Sequence, residues 1–314
     1  MNEIDIAIIG AGPAGLTAGI YAGRSKLNVK IFDTGVGGGA MATAHAIENY
    51  PGFESISGME LAKRMTNQCK KYAEIKEIEV VERIETEKDG RKRIKTENEE
   101  YIAKAVIIAT GLTHKKLNIK GEKEFLGRGV SYCATCDGMF FKGKNVLVVG
   151  RGHTAVSDAI YLSDLASVVY VANKGDTFTS EQISIDLLNL KKNIKIFYNA
   201  GLKEIKGENL VKKVLINVKE KDNKERESEL DVDGVFIAAG EIANTEIFKV
   251  SGLNLDEKGS IIVDSLQRTN IDGIFAAGDV TNNPVKQVSV AVGSGAIAGL
   301  EAYKYVRKFT QKQI

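Results

Sequence analysis

Cys133, Ala134, Thr135 and Cys136 place two thiols three residues apart, with Asp137 directly after the second. Residues at that spacing share a face of a helical turn, which brings their Cα atoms into disulfide range. Such a pair tends to hold one thiol at lowered pKa, and an adjacent carboxyl can move the proton that dithiol exchange requires. Reversible disulfide chemistry is therefore expected of Cys133, Cys136 and Asp137. A zinc site would need two more Cys or His ligands nearby. Cys69 stands alone and His45, His114 and His153 lack ligand spacing, so no metal is expected. Cys69 reads as a small buried hydrophobe on a helix, and the histidines as polar surface or loop residues.

A dithiol needs an electron source, and the chain carries two copies of a nucleotide-binding pattern. Ile4 to Ile9 is a β-branched apolar run followed by Gly10, Ala11, Gly12, Pro13, Ala14 and Gly15. Strand followed by G-x-G-x-x-G and then a helix, here Leu16 to Arg24, aims helix N-terminal amides at a pyrophosphate. A second strand, Val29 to Phe32, ends at Asp33, where an acid accepts hydrogen bonds from a ribose hydroxyl.

The second copy runs from Val146 to Val149 into Gly150, Arg151, Gly152, His153, Thr154 and Ala155, and its second strand is Val168 to Val171. Asn173 stands where Asp33 stands in the first copy, followed by Lys174. An acid there favours a free ribose 2′-hydroxyl and nearby arginines favour a 2′-phosphate. This copy has neither in full, which weakens the case for a nicotinamide nucleotide there, although Asn173 can still hydrogen-bond a ribose and Lys174 can still meet a phosphate. Arg151, between the two glycines, either clamps a phosphate or blocks its place.

Val106 to Thr110 and Gly111, Val235 to Ala239 and Gly240, and Ile274 to Ala277 and Gly278 read as further buried strands ended by glycine. A helix is expected from about Val288 to Phe309. These elements predict an α/β fold of two Rossmann-like three-layer nucleotide-binding domains, the second inserted into the first. The first domain takes residues 1–114 and 241–314, and the central one, with the cysteine pair, takes 115–240.

The chain has 314 residues, 43 Lys plus Arg against 41 Asp plus Glu, and three cysteines. The length suits two domains, and the balanced charge argues against nucleic acid or membrane as the obligatory partner. The clusters Arg91, Lys92, Arg93; Lys115, Lys116; and Lys142, Lys144 read as solvated faces. Few cysteines, no leader-like N-terminus and no apolar run near 18 residues point to a cytoplasmic protein.

GAGPAGLTAGIYAGR at the start, ENYPGF at 48–53, ATG at 109–111, CATCDG at 133–138 and GIFAAGDV at 273–280, followed by Lys286 and Gln287, resemble the low-molecular-weight thioredoxin reductases over essentially the whole chain. The resemblance implies a homodimeric FAD enzyme that reduces thioredoxin. It puts Gly10, Gly12, Pro13, Ala14 and Gly15 around the FAD pyrophosphate and Asp33 on the adenosine ribose. Gly39 and Asn49 lie on the flavin side, Asp279 and Gln287 on the ribityl and pyrimidine, and Thr110, Gly111, Gly278, Lys286 and Val288 complete the cofactor contacts. Asp137 becomes the general acid.

Two departures stand out. The glutamine that usually follows Gly39 is Ala40, and the H-R-R-x-x-x-R of NADPH-using members is replaced, with Asn173, Lys174 and Gly175 on the H-R-R and Thr179 on the last arginine. In that respect the chain is similar to the ferredoxin-dependent flavin thioredoxin reductases. Electrons run downhill from a plant-type ferredoxin near about −400 mV to thioredoxin near about −270 mV. The expected function is thus ferredoxin to FAD to Cys133–Cys136 to thioredoxin. Alternatives are the same reductase fed by NADH or NADPH through an altered site, and an O₂-dependent dithiol oxidase.

Overall fold

The computed structural model describes residues 2–44, 47, 49–219, 225–248 and 252–311, without the side chains of Cys136 and Ile247. His45 and Glu48 fall outside the described residues. The chain divides into two compact units, Met1–Thr113 with Ile242–Ile314, and His114–Glu241.

The first unit opens with β1 (Asn2–Ile9), α1 (Pro13–Gly23) and β2 (Val29–Phe32). It continues through α2 (Gly58–Cys69), β3 (Glu74–Lys76), β4 (Val81–Thr86), β5 (Lys92–Thr96) and β6 (Glu100–Ile108). The chain leaves it through β7 (Leu112–His114), returns through β16 (Glu241–Ala243), and ends with β17 (Ile274–Ala276) and the long α6 (Val288–Gln311). β7 and β16 pair with one another. The main sheet runs β3-β2-β1-β6-β5-β4, with β17 also on β6. Pairings β1–β2, β1–β6, β2–β3 and β6–β17 are parallel, and β5 is antiparallel to both β4 and β6. Strands buried on both faces read as near-continuous β-branched runs, which is why IDIAII and AVII are legible. α1 and α6 cover one face, with Ile6, Ile8, Leu16, Ala18, Ala298 and Ala302 in a single apolar core.

The cluster Arg91, Lys92, Arg93 is not a solvated face throughout. Strand alternation turns the three side chains to opposite sides. Arg91 meets Glu3 and Asp89, and Arg93 meets Glu87. Lys92 is buried, and its ammonium donates to the Gly90 carbonyl at 2.9 Å.

The second unit holds β8 (Val130–Ser131), the short α3 (Ala134–Asp137), β9 (Asn145–Val149), α4 (His153–Ser163), β10 (Val168–Ala172), α5 (Gln182–Leu190) and β11 (Ile194–Phe197). β12 (Ala200–Gly207), β13 (Val211–Lys219), β14 (Glu225–Asp231) and β15 (Gly234–Ile237) follow. Its parallel sheet runs β11-β10-β9-β15-β8, and β12-β13-β14 form an antiparallel sheet of their own. Both units are α/β with a helix-covered, largely parallel sheet, the second inserted between the two parts of the first.

Candidate active site

In the first unit the glycine fingerprint does what its spacing requires. Gly10, at φ +104°, donates its N–H to Phe32 O at 2.7 Å as β1 turns toward α1. A Cβ on Gly10 would stand 2.3 Å from Ala109 O, and one on Gly15 would stand 1.9 Å from Gly10 O. Gly12 is the N-cap of α1 and has no side-chain cap, while Pro13 occupies the first turn. The first amides of α1, from Ala14 on, are therefore open to an anion. Gly39, at φ +59°, is so close to Gly12 that its Cβ would lie 3.0 Å from Gly12 Cα.

Asp33 has both carboxylate oxygens engaged, accepting from Ala11 N at 2.6 Å and Gly35 N at 2.8 Å. Each oxygen keeps a further lone pair for a ribose hydroxyl. A cavity of about 380 Å³ opens beside Gly10, Asp33, Thr34, Val80, Val81 and Thr110. An uncapped helix start, a side-chain-free cradle and an adjoining cavity with a carboxylate fit the pyrophosphate and adenosine of FAD.

Asn244 is a residue that spacing did not reveal. Its Nδ2 donates to Thr110 O at 2.9 Å, its backbone carbonyl accepts from Thr110 Oγ1 at 2.8 Å, and its backbone N–H donates to Gly111 O. It fastens the Thr110–Gly111 turn, with Gly111 at φ +66°, and also lines the cavity. A lone asparagine after a short strand gives no signal in the sequence.

On the flavin side, Asn49 Nδ2 donates to Gln287 Oε1 at 3.0 Å. Lys286 Nζ donates to the carbonyls of Asp279 and Thr281, each at 2.8 Å. Gly278, at φ +75°, donates its N–H to Ser294 Oγ and approaches Ala14 so closely that a Cβ would lie 2.8 Å from the alanine's. Val288 opens α6. The residues expected around one cofactor thus converge on one unit from segments up to 278 positions apart.

The second unit repeats the scaffold with a different outcome. Gly150 donates to Ala172 O at 3.1 Å, and its Cβ would stand 2.3 Å from Ala238 O. Asn173 is fully buried, where its Oδ1 accepts from Gly175 N at 2.8 Å and its Nδ2 donates to Thr177 O at 3.1 Å. Both ends of its amide serve the 173–177 loop instead of pointing outward to a ribose. The Arg151 guanidinium carbon would lie 3.4 Å from a Cβ on Gly175, so the side chain lies over that loop. Thr179 N donates to Arg151 O at 2.8 Å, and His153 Nδ1 lies 3.3 Å from Ser180 Oγ. Residues 177–180 are thereby strapped to the start of α4.

Cys133 is disulfide-bonded, whereas Cys69 is free and buried, which pushes its thiol up to about 12. Cys136 lies on α3 with Asp137, two residues past Ala134. The segment before Cys133 is fixed from several sides. Tyr132 Oη donates to Glu122 Oε1 at 2.7 Å, and the buried Glu122 carboxylate also accepts from Leu117 N and Asn118 N. Asp137 and Ser131 line a cavity of about 390 Å³ with Arg128, Lys144, Phe140 and Leu210, of which Phe140 and Leu210 are exposed. The recess keeps Asp137 in reach of solvent.

Among the described residues no helix is long and apolar enough to cross a membrane. Residues 4–295 match the family described as pyridine nucleotide-disulphide oxidoreductase. A thioredoxin reductase of Listeria monocytogenes is 40% identical over 98% of this chain and 95% of that protein. The solved thioredoxin reductase of Lactococcus lactis is 39% identical, covers 97% of this chain and 99% of its own, and superposes with a TM-score of 0.83. A ferredoxin-flavin thioredoxin reductase of Clostridium acetobutylicum is 34% identical over 98% and 99% of the two chains, with a TM-score of 0.53. The identity is thus higher to the two proteins named simply thioredoxin reductase than to the ferredoxin-flavin enzyme, which corrects the expected order of likeness. A scaffold of two nucleotide-binding folds, one of them bearing a disulfide, together with these matches, establishes that the chain belongs to the pyridine nucleotide-disulphide oxidoreductases.

Proposed function

We propose that this protein is an FAD-dependent thioredoxin reductase that takes electrons from reduced ferredoxin and delivers them through Cys133 and Cys136 to the disulfide of thioredoxin. The observation that carries the donor assignment is the engaged amide of Asn173. The residue at the ribose position is buried and bonded at both ends within its own loop, and Arg151 lies over Gly175 in the same loop. Unlike Asp33, which is partly exposed and lines a cavity, Asn173 is fully buried, so a ribose hydroxyl would reach its amide only by opening the loop, and a buried polar group left unpaired in doing so costs about 1–3 kcal/mol.

The residues divide the work between the two units. Gly10, Gly12, Gly15, Asp33, Thr110, Gly111 and Gly278 hold the cofactor, while Asn49 and Gln287 brace one another beside the flavin. Bound FAD supplies the conversion between one-electron and two-electron chemistry. Asp137 donates and accepts the proton of dithiol exchange, and the recess that Asp137 lines with Arg128, Phe140 and Leu210 offers a contact surface for the protein that carries the disulfide. The enzyme is read as a cytoplasmic homodimer, and the exposed side chains of Tyr21, Ile297 and Leu300 support self-association.

A nicotinamide-fed enzyme is the second reading. It is favoured by two cations, Lys174 on the loop and Arg151 lying over it, and by the names of the relatives of higher identity. Anaerobic bleaching of the flavin separates the two. Reduced ferredoxin is expected to bleach the enzyme while NADPH and NADH do not, and rapid bleaching by NADPH would sink the ferredoxin assignment.

A further inference from the structure

We infer that Thr135 is a catalytic residue whose hydroxyl donates to the sulfur of Cys133 and favours that sulfur as the thiolate that attacks the partner's disulfide. The inference rests on the dithiol reading above.

Cys133 Sγ and Thr135 Oγ1 are 3.4 Å apart. Cys133 is in its disulfide form and its sulfur carries no proton, so the hydroxyl is the donor. The contact is held on both sides. The hydroxyl of buried Ser131 accepts from Cys133 N at 3.0 Å and donates to Cys133 O at 3.2 Å, so the cysteine's peptide groups are clamped. Asp137 N donates to the same carbonyl at 3.2 Å and closes the turn that carries Thr135. Threonine is branched at Cβ and has few χ1 rotamers, which limits how far its hydroxyl can swing from the sulfur.

When the disulfide is opened, a hydrogen bond to the charged form favours that form, and one to an anion is stronger than one to a neutral acceptor. The resting dithiol then holds Cys133 as thiolate and Cys136 as thiol. Cys133 Sγ attacks one sulfur of the partner's disulfide, forming a new S–S bond while the partner's own S–S bond breaks. The departing partner thiolate takes a proton that solvent supplies through Asp137. Cys136 gives up its proton and attacks Cys133 Sγ, re-forming the enzyme disulfide. The second partner sulfur leaves and takes up the proton that Cys136 released. Two electrons and two protons reach the partner, and the enzyme dithiol is oxidised.

The test is the rate of iodoacetamide alkylation of Cys133 in the dithionite-reduced holoenzyme, read by mass spectrometry across pH 5–10. Thr135→Val removes the hydroxyl and keeps the shape. It is expected to move the alkylation midpoint up by about one pH unit and to slow labelling about tenfold at pH 6, the loss of one hydrogen bond to a charged sulfur. Thr135→Ser keeps a hydroxyl and is expected to follow the wild type. An unchanged midpoint in Thr135→Val overturns the inference, and so does a Thr135→Ser profile shifted as far as the valine variant. The dithiol reading fails by a different observation, full thioredoxin turnover by Cys136→Ser.

Discussion

Asn49 and Gln287 are joined by a 3.0 Å hydrogen bond across 238 residues of sequence, from the loop before α2 to the residue before α6. Each fixes the other's amide orientation. Gln287→Ala leaves Asn49 without that partner, and one net hydrogen bond is worth about 1 kcal/mol. FAD affinity, followed by flavin fluorescence on titration of the apoprotein, is expected to fall about five-fold in either Asn49→Ala or Gln287→Ala. The double variant should lose little more than a single one, because the pair acts as a unit.

Gly15 has no room for a side chain, since its Cβ would stand 1.9 Å from the Gly10 carbonyl oxygen. The obstacle is backbone and cannot rotate away. Gly15→Ala should push α1 off β1, cost about 3 kcal/mol and yield protein with little bound flavin. Gly52→Ala serves as a control because its Cβ would meet nothing within 4 Å, though its φ of +110° carries its own strain. The ratio of flavin to protein absorbance after purification reads the difference.

Cys69 is fully buried at the end of α2, and burial pushes its thiol up to about 12. A thiol reagent at pH 8 should leave the oxidised native enzyme unlabelled and modify one cysteine per chain once urea is added. Labelling of the native oxidised protein at Cys69 would contradict the burial.

Asp158 on α4 is raised by burial from the ordinary aspartate value of 3.8 to about 7. The folded state therefore holds its proton where the unfolded state has lost it. Stability from this group is fully present below about pH 4 and declines as pH rises through about 7. Asp158→Asn should gain about 1–2 kcal/mol over the wild type in urea denaturation at pH 8, a figure reduced for the residue's remaining solvent contact, and nothing at pH 4.

The parts of the fold that were legible are those where chemistry and periodicity coincide. β1, β2, β9 and β10 are buried apolar runs next to glycines whose spacing has one structural use, and α6 follows a glycine-ended strand. β4, β5 and the β12-β13-β14 sheet escaped because their strands mix lysine and glutamate with isoleucine and valine, as in KKVLINVK, and resemble solvated loop. Lys92 shows the cost of reading charge in clusters. The alternation in KRIKT buries positions 92, 94 and 96, and a period of two would have placed the lysine inward. Asn173 was located by counting from Gly150, but its hydrogen bonds depend on a turn whose φ and ψ no residue count supplies. Asn244 had no motif around it.

The 173–177 loop has a practical consequence for anyone wishing to change the enzyme's fuel. Installing arginines at 174 and 175 would exchange one cation for another at Lys174 and add a charge at Gly175, in a turn that is already tied shut from within. Gly175 N is held by Asn173, and its open face is covered by Arg151. A retrofit would have to release the asparagine, clear Arg151 and cut the strap at Thr179 together, so a stepwise path of single substitutions passes through variants that have lost the old loop before gaining the new ligand.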